Sequence, residues 1–176
     1  MNILSAVPGY PATTPSLDHS ACILAAGELL LLRLEQGHPI SAAQLRHAME
    51  TAFGASDATG AWNWKLAYEA CETATVLFLR KYGTALFRKA ATPAARLAAL
   101  TKILGLLPTH TRRSEESQAL QQFSTPVPLG LAALTAAEIR PGDRVLEPSA
   151  GTGLLAILAQ LAGGSLTLNE LAETRA

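Results

Sequence analysis

The chain has 176 residues, 49% hydrophobic and 16% charged, with 14 basic and 14 acidic side chains that cancel to zero net charge. That length allows one domain or two small ones, and the charge balance gives no global basic field for a nucleic acid, although a local patch would serve. Two distant cysteines and scattered histidines give neither a disulfide framework nor zinc-ligand spacing, so no metal is expected.

Abundant alanine and leucine beside few aromatics predict helices. Residues 1–15, with Pro8, Gly9, Pro11 and Pro15, read as an extended arm without the cationic and apolar signature of a signal peptide. Ser16 is placed to cap a helix to about Gln36, stopped by Gly37 and Pro39. The apolar run around 21–34 is broken by Glu28 and Arg33 and is too short to span a bilayer. No membrane partner is expected, and a reducing, bacterial-type cytoplasm is the expected setting. Ser41 with Gln44 fits a capping box for a second helix ending at Gly54. A polar turn with Asp57 and Gly60 leads to the longest predicted helix, 62–82, with Gly83 just past its end.

Trp64, Tyr68, Cys71, Thr75, Phe78 and Tyr82 recur at helical spacing and share one face. That face is read as a buried seam rather than a base-stacking platform, while Trp62 points elsewhere, toward a second contact surface. Arg80, Lys81, Arg88 and Lys89 are read as solvated cations complementing the helix dipole, in preference to a nucleic-acid contact. Thr92 and Pro93 open a fourth helix to about Leu107, closed by Pro108. The resulting division is a helical domain over 16–108, a polar linker over 109–121, and a second domain from 122 to 176.

From there the pattern becomes α/β. Thr125-Pro126 starts a short helix through about Glu138, and Arg144-Val145-Leu146-Glu147 reads as a strand. A loop, Pro148-Ser149-Ala150-Gly151-Thr152-Gly153, precedes a helix from Leu154 to about Ala162, then a strand from Ser165 to Asn169. This strand–loop–helix–strand order, with Glu170 closing it, is the first half of a nucleotide-binding Rossmann motif. Gly151 and Gly153 let the backbone turn tightly and approach a ligand, and the helix start aims amides at the same crevice. Glu170 is placed to accept hydrogen bonds from both ribose hydroxyls of an adenosine.

Two cofactor classes fit that frame. Gly151-Thr152-Gly153-Leu154-Leu155-Ala156 matches the GxGxxA pattern of nicotinamide dinucleotide sites. Glu147, however, puts a carboxylate ahead of the glycines, where it repels diphosphate and attracts a ligand carrying an ammonium and a sulfonium. That charge logic favours S-adenosylmethionine. A P-loop fits less well, since no lysine follows the glycines.

The segment Val145-Leu146-Glu147-Pro148-Ser149-Ala150-Gly151-Thr152-Gly153 resembles motif I of class I S-adenosylmethionine-dependent methyltransferases, and Asn169-Glu170 resembles motif II. Gln122-Phe123-Ser124-Thr125-Pro126 is similar to the segment preceding motif I in N6-adenine DNA methyltransferases. The resemblance implies cofactor contacts from Phe123 and Thr125, beside Glu147, Pro148, Ala150, Gly151, Gly153 and Glu170; Thr125 read by itself is a helix cap. Together with Ala61-Trp62-Asn63-Trp64-Lys65, Phe78 through Gly83, and Leu168 through Arg175, the chain resembles the N-terminal region of bacterial strawberry notch-like proteins. These join a methyltransferase-like domain to a helicase-like ATPase, which implies DNA rather than RNA as partner and an ATPase downstream in the same protein. The Asn/Asp-Pro-Pro-aromatic loop that holds the target amino group in N6-adenine enzymes is absent from the sequence. The expectation is therefore an incomplete Rossmann-like domain, cofactor-binding and inactive by itself, with no catalytic residue to name. The alternative is a non-catalytic nucleic-acid binding or remodelling module on a methyltransferase-like scaffold.

Overall fold

A computed structural model describes residues 18–109 and 125–171. The predicted arm, Ser16, Phe123 and nearly all of the predicted linker lie outside them. The first helix, α1 (His19–Glu35), is capped by Asp18, whose carboxylate accepts from the Ala21 amide at 3.1 Å. The capping box forms as expected: Ser41 Oγ accepts from the Gln44 amide, and the Ser41 amide donates to Gln44 Oε1. It opens α2 (Ala42–Phe53), which Gly54 ends in the left-handed region. After a single 3-10 turn at Asp57–Thr59 comes α3 (Trp64–Lys89), capped by Asn63. Thr92 caps α4 (Pro93–Leu104), and α5 (Val127–Ala137), β1 (Arg144–Glu147), α6 (Leu154–Leu161) and β2 (Ser165–Leu168) follow.

Helix α3 is longer than its sequence pattern predicts, and the reason is tertiary. Gly83 is not a terminator but a buried mid-helix residue facing α6. A Cβ there would lie 2.5 Å from Leu161 Cδ1, so with Leu161 packed as it is the position takes only glycine. At ~1.5 Å per residue the 26-residue helix reaches about 39 Å, long enough to serve two cores. Its N-terminal half packs on α1 and α2 around Leu30, Leu45, Met49, Ala67 and Cys71. Its C-terminal half contributes Leu79 and Phe87 to a second cluster with Leu100, Ile103, Val127, Leu131, Ile157 and Leu158. That cluster draws on α3 and α4 from one side of the polar segment and on α5 and α6 from the other. The helical and α/β portions therefore share a hydrophobic core.

The aromatic seam holds in outline and differs in detail. Tyr68 is buried, while Trp64, Phe78 and Tyr82 are half-buried. Trp62, expected on a second surface, is the most enclosed of the five at 2% exposure, and its indole N–H donates to the Ala55 carbonyl at 2.9 Å. Because α3 runs on to Lys89, Arg88 and Lys89 sit in its last turn, whereas Arg80 and Lys81 lie mid-helix. Lys81 Nζ pairs with Glu35 at 2.7 Å, and the Tyr82 hydroxyl donates to the same oxygen. Those two bonds, with the lysine charge, hold the Glu35 carboxyl below its ordinary pKa.

β1 and β2 pair in parallel, Arg144 opposite Ser165 through Glu147 opposite Leu168. Parallel strands need a crossover, and α6 supplies it, packing on both. Val145 and Leu166 are half-buried, whereas Leu146 and Leu168 are 65% and 50% exposed. The described residues thus form a largely helical α/β structure with a small two-stranded parallel sheet. Among them no helix is long and apolar enough to cross a membrane.

Candidate functional site

The loop between β1 and α6 follows from two backbone choices. Gly151 has φ 53° and Gly153 has φ 91°, both in the left-handed region where a side chain is strained. Gly153 is also the N-cap of α6. A Cβ placed on it would meet nothing within 4 Å, so the loop leaves open space at that point.

The loop's amide protons are largely spent within the protein. The Ser149 amide donates to Glu147 Oε1 at 3.1 Å, and the Ala150 amide to the Asn169 carbonyl at 2.9 Å. The Gly151 amide donates to Glu170 Oε2 at 2.6 Å, and the Gly153 amide to the Ala150 carbonyl at 2.8 Å. Asn169 Nδ2 adds a bond to the Pro148 carbonyl at 3.0 Å. A phosphate-binding loop keeps such amides pointing at its ligand. Here four of them point back at carboxylate and carbonyl oxygens, which leaves the uncapped start of α6 as the place where backbone donors face outward.

Three carboxylates surround this short segment. Glu147 ends β1, Glu170 follows β2, and both are half-buried. The third, Glu72 of α3, is 7% exposed and accepts from Thr152 Oγ1 at 2.7 Å. Neither Glu72 nor Glu147 belongs to an ion pair among the described residues. Such carboxylates without a cationic partner attract a positively charged group. Beside Glu72, the Cys71 thiol is pushed up to about 12 by burial and by the glutamate charge, so it stays protonated and is no nucleophile.

Of the residues singled out in the sequence, Glu147, Pro148, Ala150, Gly151, Gly153 and Glu170 converge through this hydrogen-bond network. Thr125 is half-buried just ahead of α5, whose N-cap is Pro126 and carries no side-chain cap. Thr125 therefore does not cap the helix, and no hydrogen bond ties it to the loop among the described residues. Phe123 lies outside them. Glu72 was not anticipated: its partner is 80 residues away, and a charge on a predicted helix reads by default as solvent-facing. Among the described residues no group of three or more histidine, cysteine or acidic side chains could hold a metal.

No protein-family model matches the chain, and no curated protein or solved structure matches it either.

Proposed function

We propose that this chain is the cofactor-binding part of an S-adenosylmethionine-dependent methyltransferase acting on nucleic acid, with adenine in DNA as the target, and that its β1–loop–α6–β2 unit belongs to a Rossmann-like domain. The observation that carries the proposal is the loop with Glu147 and Glu170 beside it and four of its amides bonded inward. Such a site repels diphosphate and suits a ligand with an ammonium and a sulfonium. When bound, S-adenosylmethionine supplies an activated methyl group. The chain's own residues bind and orient it. Gly151 and Gly153 permit close approach, Glu147 provides attraction for positive charge, and Glu170 offers carboxylate oxygen to the ribose hydroxyls. A carboxylate hydrogen bond of that kind contributes ~1.5–3 kcal/mol. Adenine in DNA rests on the sequence resemblance of residues 122–126 and 145–153, and an ATPase in the same protein on that of residues 61–83 and 168–175.

Calorimetric titration tests the proposal. S-adenosylmethionine should bind and NAD should not, and Glu147→Gln, which keeps shape and removes charge, should weaken binding. A chain that binds NAD and ignores S-adenosylmethionine refutes the assignment and returns the site to the dehydrogenase class.

A further inference from the structure

The contact between Glu72 and Thr152 joins two parts of the chain that the sequence separates. Glu72 lies in a stretch of α3 that is buried almost throughout, from Leu66 to Thr75. A carboxylate in such surroundings is strongly disfavoured unless it is hydrogen-bonded. The donor it meets is the hydroxyl of the residue between the two left-handed glycines. Glycines make that loop easy to bend, so a fixed side chain between them limits how far it can stray. Helix α3 is itself held against α6 by the Gly83–Leu161 contact, which fixes the carboxylate relative to the loop.

We infer that Glu72 is a positioning residue, holding the glycine loop through Thr152 in the conformation that ligand binding uses. The inference rests on the reading of this loop as the S-adenosylmethionine site. On this view the helical portion is a working wall of the site and not a neighbour of it. Glu147 and Glu170 tie the loop from the sheet side through Ser149 and Gly151, and Glu72 ties it from the opposite portion of the chain.

The test uses the full chain and two readouts. Thr152→Val removes the hydroxyl at constant shape, and Thr152→Ser restores it. Thr152→Val leaves a buried carboxylate without its donor and could unfold the protein. The double variant Glu72→Leu with Thr152→Val therefore removes both partners together, leaving no orphaned polar group. Hydrogen exchange without ligand should rise at the Ala150, Gly151 and Gly153 amides in the valine variants and stay low in the serine variant. Exchange in α1 and α2 should not change. Titration with S-adenosylmethionine should show affinity about tenfold weaker in the valine variants and within about twofold of wild type in the serine variant. Unchanged loop exchange in the double variant overturns the inference, and so does faster exchange with unaltered affinity. A wild-type chain that takes up no S-adenosylmethionine overturns the proposed function instead. The exchange arm then still judges whether Glu72 holds the loop.

Discussion

Replacing Gly83 with alanine sets two effects of opposite sign against each other. In an unpacked helix the change would stabilise by ~1 kcal/mol, because alanine is the better helix former. At this position the added Cβ would lie 2.5 Å from Leu161 Cδ1, 3.0 Å from Cδ2 and 3.3 Å from Cγ. All three atoms belong to the half-buried Leu161 side chain, which must swing out of its present packing to admit the methyl group. Overpacking of this kind costs ~1–3 kcal/mol, which outweighs the propensity gain and leaves a net loss of about 1 kcal/mol. Urea denaturation should show the midpoint falling by about 0.5 M with an unchanged slope. In a Leu161→Ala background the clash is gone, and the same Gly83→Ala change should stabilise by about 0.5–1 kcal/mol. Stabilisation of equal size in both backgrounds would refute the α3–α6 contact, and with it the shared core that places Glu72 over the loop.

Gly153→Ala should strain a residue at φ 91° by ~1–2 kcal/mol, lowering the melting temperature and weakening S-adenosylmethionine binding although no atom stands in the way of the methyl group. Glu170→Ala removes both the tie to the Gly151 amide and the acceptor for the ribose; with ~1.5–3 kcal/mol per charged bond, affinity measured by calorimetry should fall at least tenfold. Cys71 contributes an alkaline limb to stability, because its thiol is raised from 9.0 to about 12 in the folded chain. The stabilisation is complete below pH 9 and declines as the pH climbs toward 12, since the unfolded thiol deprotonates first; denaturation midpoints followed from pH 8 to 10.5 should lose that slope in Cys71→Ala.

The local features of this fold were legible because they depend on neighbouring residues. The capping box at Ser41 and Gln44, the left-handed stop at Gly54, the cap at Thr92 and the bounds of β1 are written within a few positions. What required tertiary contacts was misread or missed. Gly83 looks like a helix stop, and only Leu161 on another helix gives it a reason to stay helical. Trp62 follows a turn and falls out of the helical period, yet its indole finds a backbone carbonyl and is buried. The polar composition after Pro108 reads as a linker, and nothing local in it tells that Leu79, Phe87, Val127 and Ile157 share one cluster across it. Within the site, the glycines and two carboxylates follow from strand, loop and acidic residue in sequence order. Glu72 could not be found that way, because nothing local distinguishes a buried glutamate on a helix from a solvated one.

The sign of the ligand charge is where the sequence argument and the geometry meet. A strand, a glycine loop and a helix form one frame that serves anions or cations according to where the loop amides point. Glu147 alone argues for a cation; as a scale, two like charges ~4 Å apart repel by about 4 kcal/mol at a protein surface. The geometry adds a second, independent reason. The Ser149, Ala150, Gly151 and Gly153 amides are already bonded, so a diphosphate would find fewer loop donors than in an open phosphate loop and would depend on the start of α6. Two of those internal oxygens belong to Glu147 and Glu170, so the groups that repel an anion also withdraw the donors that would bind it. Glu72 adds a carboxylate from α3 through Thr152, so on the proposed function part of the selectivity would lie in the helical portion. Inverting the preference would therefore take more than one substitution: neutralising Glu147 removes a charge, but the Gly151 amide stays occupied until Glu170 is changed as well.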